Sequence, residues 1–481
     1  MTPTTHSIGS RSNAPLAFVA AAALAGLSGV LITPWLALSG RAEMFAFAVP
    51  FAVAIAVVLV WNTHFGLCAA AFAIMPLGIL QREFAGVTIN LPEALVLVLA
   101  AKELALLLAG QGRRARTSLP WRSLAAFSAA ALAAIGTGLL NGNGAVRVLQ
   151  DFRQFAEYLV VFWLVAQRIE TPSQAARIVT CFAAGGAIIA AHGILQSLTG
   201  RGIPQDQALS DMIFHKGIRA GSFYGATPLG GLMVLSICPA IGLMMQTRSR
   251  PLKIFLAACT ALCTVAIVYT KTRASWVALA LALVFFLASV RLSPRLLMGA
   301  AFAVIAAVVA LGPLVAQRMS TLSFSRNERS LLQRVDYYTT AGLILRHAPA
   351  FGLGWGAYYD MEKILDNGRY VATPAPSREA DATVHSAYLQ IAVKTGAIGL
   401  AAFLLVPLQW GIALVRERMR RRPADPDVDL SMGIAAGLFG YLVHSAVENF
   451  FQWPVMAQSF WLMLGMSFVL LSPQRTRGTD R

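Results

Sequence analysis

Charge is scarce in this chain, and acid is scarcer than base. Only 13% of its 481 residues are Asp, Glu, Lys or Arg, with 22 acids set against 39 bases. About a quarter of an ordinary soluble domain is charged, so that class is excluded. Cysteine is equally sparse. Cys68, Cys181, Cys238, Cys259 and Cys263 all lie inside apolar runs and read as small buried hydrophobes, without the spacing of a disulfide framework or of metal ligands. The long apolar runs also lack the polar and apolar alternation of membrane β-strands. What is present instead is grease, 57% hydrophobic residues and a mean hydropathy of +0.64.

Runs near the roughly 20 residues that cross a bilayer recur from end to end, which predicts an all-α, polytopic membrane bundle. Candidate spans cover Leu16 to Leu38, Met44 to Val60, Phe65 to Leu80, Leu91 to Leu108, Leu124 to Leu140, Phe155 to Val165 and Ala176 to Leu195. They continue over Leu229 to Met245, Ile254 to Tyr269, Trp276 to Val290, Leu296 to Val315, Ile391 to Leu414, Met432 to Val447 and Val455 to Leu471. The total is about fourteen, or about twelve if the short runs at Phe65 and Phe155 are re-entrant. The first run, behind Arg11, is read as an uncleaved anchor because spanning segments follow it.

Basic residues collect in alternate loops: Arg113, Arg114, Arg116 and Arg122; Arg248, Arg250 and Lys253; Arg291 and Arg295; Arg416, Arg418 and Arg420 to Arg422; and the tail. All fall on one side, so both termini are expected in the cytoplasm. The formal charge of +17 then reflects topology and contact with membrane lipid, with no nucleic acid as partner. Two outward segments remain, a short one from Gly200 to about Thr227 and a large one from Gln317 to about Val384. The domain reading is N-terminal membrane helices over 1–198, helices with an outer loop over 199–316, a large periplasmic loop over 317–384, and C-terminal helices over 385–481.

The large loop mixes signs almost evenly and reads as a structured cap. Within it, Ser330 to Arg346 predicts a helix ending before Pro349, with Leu331, Val335, Tyr338 and Leu345 near helical spacing. Such a helix would lie on the bilayer with Arg334 on its polar side. Gly352, Gly354 and Gly356 form a GxGxG that no strand precedes, so it reads as a turn rather than a nucleotide loop. Asp425, Asp427 and Asp429 resemble half a calcium loop but lack its glycine and closing glutamate, and read as a solvated loop. Glu93, Lys102 and Glu103 lie in or near a span, where ionisable groups usually face the bundle interior.

Arg219, Arg273, Arg334 and His385 map to the outward side, against the charge bias. Singly, each arginine fits interfacial snorkelling or a structural ion pair, and the histidine a cap. Together they suit one chemistry. Guanidinium forks match phosphate oxygens, and an imidazole accepts the proton of a sugar hydroxyl, which are the needs of glycosyl transfer from a lipid diphosphate. His444 and Glu448 are further candidates to line such a site, with packing an equal alternative.

The stretch "HSAYLQIAVKTGAIGL" resembles the histidine signature of the O-antigen ligase and Wzy polymerase superfamily. "TRASWVALALALVFF" is similar to its serine-arginine-glycine segment, and "QRVDYYTTAGLILRHAPAFGLGWGAY" to its arginine helix and glycine turn. "RAGSFYGATPLGG" is a weaker match to its Asn-Pro-Asn stretch, and "VENFFQWPVMAQSFWLMLGM" is similar to its closing spans. The resemblance covers roughly Arg219 to the end of the chain. It implies a metal-independent, cofactor-free inner-membrane glycosyltransferase acting on the periplasmic face. The donor would be a glycan on undecaprenyl diphosphate, and the acceptor either lipid A core, in a ligase, or another lipid-linked glycan, in a polymerase. By the same resemblance Arg219, Arg273 and Arg334 would hold the diphosphate, and His385 would be the base or would orient the acceptor. The chain departs from the pattern at Lys394, where the family has an acid, and at Ala226 and Leu229, which replace asparagines around Pro228. The competing class, a flippase of lipid-linked glycans, predicts internal repeats and midplane charges; no clear repeat is present.

Overall fold

The structure is a computed structural model that describes residues 62–78, 80–84, 87–110, 119–203, 212, 217–290, 329–356, 384–420 and 428–472. The expected spans Leu16 to Leu38, Met44 to Val60 and Leu296 to Val315 lie outside them. So do most of the large loop, Arg113, Arg114, Arg116, Arg291, Arg295, Asp425, Asp427 and the basic tail.

The described chain is helical apart from one antiparallel hairpin. Its helices are α1 (Thr63–Ala73), α2 (Leu91–Leu108), α3 (Trp121–Leu140), α4 (Ala145–Arg168), α5 (Pro172–Thr199), α6 (Ala226–Gln246), α7 (Arg250–Tyr269) and α8 (Arg273–Ser289). They continue with α9 (Arg329–His347), α10 (Ala387–Arg420), α11 (Val428–Ser445) and α12 (Pro454–Leu471), with a short 3-10 turn at Phe450–Gln452. Strands β1 (Gln81–Phe84) and β2 (Val87–Asn90) pair Gln81 with Asn90 and Phe84 with Val87. That hairpin runs straight into α2, whose start is fixed by a capping box. The Asn90 side chain accepts from Glu93 N at 2.8 Å and the Glu93 carboxylate accepts from Asn90 N at 2.9 Å.

Six helices are long and apolar enough to cross a membrane, α3, α5, α6, α7, α10 and α12, and α1, α8 and residues 430–445 are shorter apolar helices. The protein is a multi-pass membrane protein. In α12 94% of the spanning window is buried and in α6 83%, against 28% in α7, so α6 and α12 form the centre and α7 lies outside. Outward-facing Ile254, Leu262, Val277, Val284, Leu408 and Val415 cover the peripheral helices with aliphatic side chains, the surface that lipid requires.

Two expected short spans resolve differently. The run at Phe65 is a helix of 11 residues, which at about 1.5 Å per residue reaches only about halfway through the hydrocarbon. The run at Phe155 is the second half of the 24-residue α4. Its first half was hidden from a hydropathy reading because it carries Arg147, Asp151 and Arg153, the last two of which are paired inside the bundle. Arg153 pairs with Glu157 at 2.8 Å and approaches Glu93 at 3.5 Å, and Glu103 of α2 takes Arg168 and the Thr63 hydroxyl. Of the three ionisable groups in or near that span, Glu93 and Glu103 are buried and Lys102 is half-buried.

The centre is tied by small residues. Gly433 of α11 lies against the Cys238 carbonyl, Gly437 against Pro239, and Gly440 against Ala278, Ala282 and Val234, so α6, α8 and α11 approach almost backbone to backbone. The same contacts set direction. α6 runs antiparallel to α11, which brings the start of α6 beside the end of α11. At that end the adjacent Gly230 and Gly231 touch two further segments, Ser275 at the start of α8 and Phe450 after α11. At the opposite end Arg418 donates to the carbonyl of Ala288 at 3.0 Å, among Arg248, Arg250, Lys253, Arg416 and Arg420.

Candidate active site at one end of the bundle

His385 lies two residues before α10 and Glu448 in the turn after α11, and the two backbones meet where Ala387 N donates to the Glu448 carbonyl at 3.2 Å. Glu448 Oε1 lies 2.9 Å from His385 Nδ1. Its other oxygen lies 3.9 Å from an Arg334 guanidinium nitrogen, the outer limit of an ion pair. The structure therefore brings His385 and Arg334 together across one carboxylate. The imidazole and the guanidinium are each 35% exposed while the carboxylate between them is 11% exposed, so the pair opens outward and its anchor is buried.

Burial pushes the Glu448 carboxyl up, but the hydrogen bond and charge of His385, with the charges of Arg334 and His444, bring it net below the ordinary value of 4.5. It is therefore an anion at neutral pH. An ionised carboxylate only accepts, so Nδ1 must carry the hydrogen, and a neutral His385 ring then presents Nε2 as a base.

Arg334 reaches this place through α9. The buried face of that helix is Tyr337, Ala341 and Ile344, which pack on Val384 and Val393. That corrects part of the expected apolar stripe: Val335 is 52% exposed, whereas Tyr338 packs against this cluster. Tyr338 donates from its hydroxyl to the His385 carbonyl at 2.8 Å, fixing the loop that carries the imidazole. Burial raises the Tyr338 phenol, so it remains a donor at neutral pH.

Arg219 and Arg273 occupy the same end. Ala220 N donates to the Tyr269 carbonyl at 2.9 Å, which ties the Arg219 segment to the turn that leads into Arg273. Through Gly230 and Gly231 that turn and the Glu448 segment flank neighbouring faces of α6. Both arginines are half-buried. His444, by contrast, is 1% exposed with its ring edge-on to Phe450 at 4.6 Å, and neither ring nitrogen makes a hydrogen bond among the described residues. It is packed beneath the site and does not line it.

The GxGxG is a turn, as expected, and it performs a task that the sequence does not announce. α10 is broken at Gly396 (φ 70°, ψ −173°), in the left-handed half of backbone space where only glycine sits without strain. A break inside a bundle strands donors and acceptors that must be satisfied. The segment 349–354 supplies the partners: Leu353 N and Gly354 N donate to the carbonyls of Val393 and Lys394 at 2.8 and 3.0 Å, and Ala397 N donates to the Pro349 carbonyl at 2.8 Å. Gly354 also lies so close to Gly138 that a Cβ would stand 2.0 Å from its nitrogen.

Lys394, which replaces an acid of the family pattern, is buried in that joint. Its ammonium lies 2.7 Å from Asp151 Oδ2 and 5.7 Å from the centre of the Trp355 ring, and the same oxygen accepts from Gly356 N at 2.8 Å. Sequence reasoning passed over Asp151, which stands in a charged stretch just before the run at Phe155. Among the described residues no group of three or more His, Cys, Asp or Glu is placed to hold a metal ion.

A multi-pass helical membrane protein with a histidine, a carboxylate and several guanidiniums at one end of its bundle is the class these observations define. Within it, residues 258–404 match the family model Wzy_C, described as O-Antigen ligase, which supports a likeness of that stretch to the O-antigen ligase and Wzy superfamily. The matched segment holds Arg273, Arg334 and His385, while Arg219 and Glu448 lie outside it. Comparison with curated proteins gives no match.

Proposed function

We propose that this protein is an inverting, metal-independent glycosyltransferase that works at the periplasmic face of a bacterial inner membrane and moves a glycan from undecaprenyl diphosphate to a sugar hydroxyl. The observation that carries the reading is the His385–Glu448 contact, which leaves one imidazole nitrogen as a base at the exposed end of a bundle rich in guanidiniums. In the reaction the acceptor oxygen attacks the anomeric carbon, and its proton passes to His385 Nε2. The bond between that carbon and the phosphate oxygen breaks with its electron pair, and undecaprenyl diphosphate departs as the anion. Glu448 stabilises the imidazolium as it forms, a role an ionised carboxylate fills without itself taking the proton. Arg273 and Arg219 are assigned to the diphosphate, whose charge grows in the transition state. Arg334 stands beside Glu448 and completes the cationic rim.

The test is reconstitution with a short undecaprenyl-diphosphate glycan in the presence of a chelator, with and without lipid A core, followed by sizing of the products. A ladder of lipid-linked chains identifies a polymerase, and glycan on core a ligase. His385→Ala should abolish either product while the protein remains folded. Labelled donor crossing the bilayer with no product would replace the enzyme with a flippase.

A further inference from the structure

Directly behind the His385–Glu448 pair lies a cavity of about 60 Å³ between α3, α4, α10, α12 and the turn at Phe450–Gln452. Its walls have a distinctive composition. Gln154, Gln390, Asn449 and Gln452 bring carboxamides, and Tyr158 and Trp355 are among several aromatic rings. The charged groups on the wall, Lys394 and Asp151, are paired with each other at 2.7 Å. A site of this make-up suits a ligand that is neutral, has apolar faces and carries hydroxyl groups.

Two of the carboxamides hold unspent hydrogen-bonding capacity. Gln390, 5% exposed, accepts from Val384 N through Oε1 at 3.1 Å, while its Nε2 makes no hydrogen bond among the described residues. Asn449, 2% exposed, donates through Nδ2 to Gln452 at 3.2 Å, while its Oδ1 makes none. One is an orphaned donor and the other an orphaned acceptor. Leaving such groups buried and unmet is costly, and the terminal torsions of Asn and Gln are soft enough to turn toward a ligand. A hydroxyl group meets both needs, because it donates and accepts. Each residue is also bound at its other end to the segment that carries His385 or Glu448: Val384 precedes the histidine, and Asn449 N donates to Glu448 Oε1 at 3.4 Å.

We infer that this cavity is a saccharide subsite, which takes one neutral sugar ring of a substrate through Gln390 and Asn449, against the aromatic walls. The inference rests on the glycosyltransferase reading for the source of the sugar, and that sugar belongs to the donor glycan or to the acceptor. At about 10–15 Å³ per water, the cavity has room for on the order of five waters, which a single pyranose fills and a disaccharide exceeds. Its paired charges disfavour a phosphate there, consistent with diphosphate recognition at the arginines instead. The subsite would read the identity of one sugar unit next to the reacting bond.

The experiment uses the full chain in nanodiscs and a set of methyl hexosides and methyl N-acetylhexosaminides at millimolar concentration, read by saturation transfer from protein to glycoside. At least one glycoside should receive saturation in the wild type and none in Gln390→Leu or Asn449→Leu. Leucine removes the orphaned group without leaving a void, and Gln154→Leu provides a third variant if either fails to fold. In transfer assays the folded variants should raise the KM of one substrate roughly tenfold, the scale of a lost hydrogen bond to a buried group. A rise confined to the acceptor assigns the ring to the acceptor, and a rise confined to the donor assigns it to the donor glycan. If no glycoside receives saturation and the folded variants keep both wild-type KM values, the cavity holds water only and the subsite is overturned. Saturation lost in the variants of a protein that transfers no glycan under any condition would leave the subsite standing and remove the glycosyltransferase reading.

Discussion

Replacing Lys394 with methionine should unfold this protein more readily than its conservative volume suggests. The Lys394 and Asp151 side chains are 9% and 8% exposed and 2.7 Å apart, so solvent screens their attraction little. Methionine keeps most of the aliphatic stem over Trp355 but removes the ammonium. Asp151 keeps the Gly356 N–H, 2.8 Å away, but loses the cation that balances its charge in a buried joint. Removing one member of a buried pair costs about 3–5 kcal/mol. The lower figure is the better expectation here, since the backbone donor remains and the acid can take up a proton. Even about 3 kcal/mol is a factor of about a hundred in the opening equilibrium. The second half of the prediction is a rescue: Asp151→Asn in the Lys394→Met background retains an oxygen for Gly356 N–H and needs no counter-ion, so most of the loss should return. The assay is the apparent unfolding midpoint in detergent at one fixed scan rate, because unfolding of such a protein is rarely reversible. Limited proteolysis at residues 349–356 gives a second readout of the joint. A single variant that melts with the wild type, or a double variant worse than the single, would refute the assignment of this pair to the joint.

Glu448→Gln should reduce turnover by about 10²–10⁴ with the protein still folded, since an amide no longer forces the hydrogen onto Nδ1; single-turnover product formation checks it, and an unchanged rate removes Glu448 from the chemistry. The Glu448 carboxyl sits below its ordinary 4.5, so its contribution to stability is complete above that value and is lost as pH falls through the lowered one. The difference in melting between wild type and Glu448→Gln should accordingly stay constant from neutral pH to about pH 5 and close only in stronger acid; closure near neutrality would contradict the sign. Gly396→Ala combines a left-handed backbone with a Cβ 2.1 Å from the Ala350 carbonyl oxygen, and should yield little folded protein by size-exclusion profile. Arg273→Lys should impair donor use, read as a higher donor KM or slower turnover, because a point charge does not reproduce the guanidinium fork.

Much of the frame was legible because hydropathy and breakers report on it directly. The expected run Leu91 to Leu108 coincides with α2, and Val455 to Leu471 differs from α12 by one residue. The helix expected over Ser330 to Arg346 is α9 within a residue at each end, its stop marked by Pro349. Hydropathy failed where charge is paired across the bundle. Arg147, Asp151 and Arg153 made the first half of α4 look like loop, because a sequence shows an ionisable side chain but not its partner, which for Asp151 is a lysine 243 residues away. The register of α9 failed for a related reason. Its stripe was chosen for contact with lipid, whereas Tyr337, Ala341 and Ile344 are buried by protein that is distant in sequence. His385 and Arg334 were readable as cations against the charge bias, yet the carboxylate that joins them lies 63 residues beyond the histidine and was read as a candidate to line the site with packing an equal alternative.

The lysine at position 394 illustrates how a departure from a family pattern is absorbed. An acid there would extend the negative field of Glu448 along the helix that begins beside His385. The observed ammonium instead faces Asp151 of α4, which cancels it at 2.7 Å and uses the same oxygen to hold the glycine turn. The pair carries no net charge, so the field at the imidazole is set locally, by Glu448 and by Arg334. The joint it secures has a second effect. By holding 349–354 against the Gly396 break, it fixes the end of α9 to the first third of α10, and with them the separation between Arg334 on one helix and His385 at the head of the other. A buried ion pair is weak support for stability on its own. Here its geometric consequence is the larger one, because a turn loosened by even an ångström would move a guanidinium already at 3.9 Å out of reach of the carboxylate that orients the base.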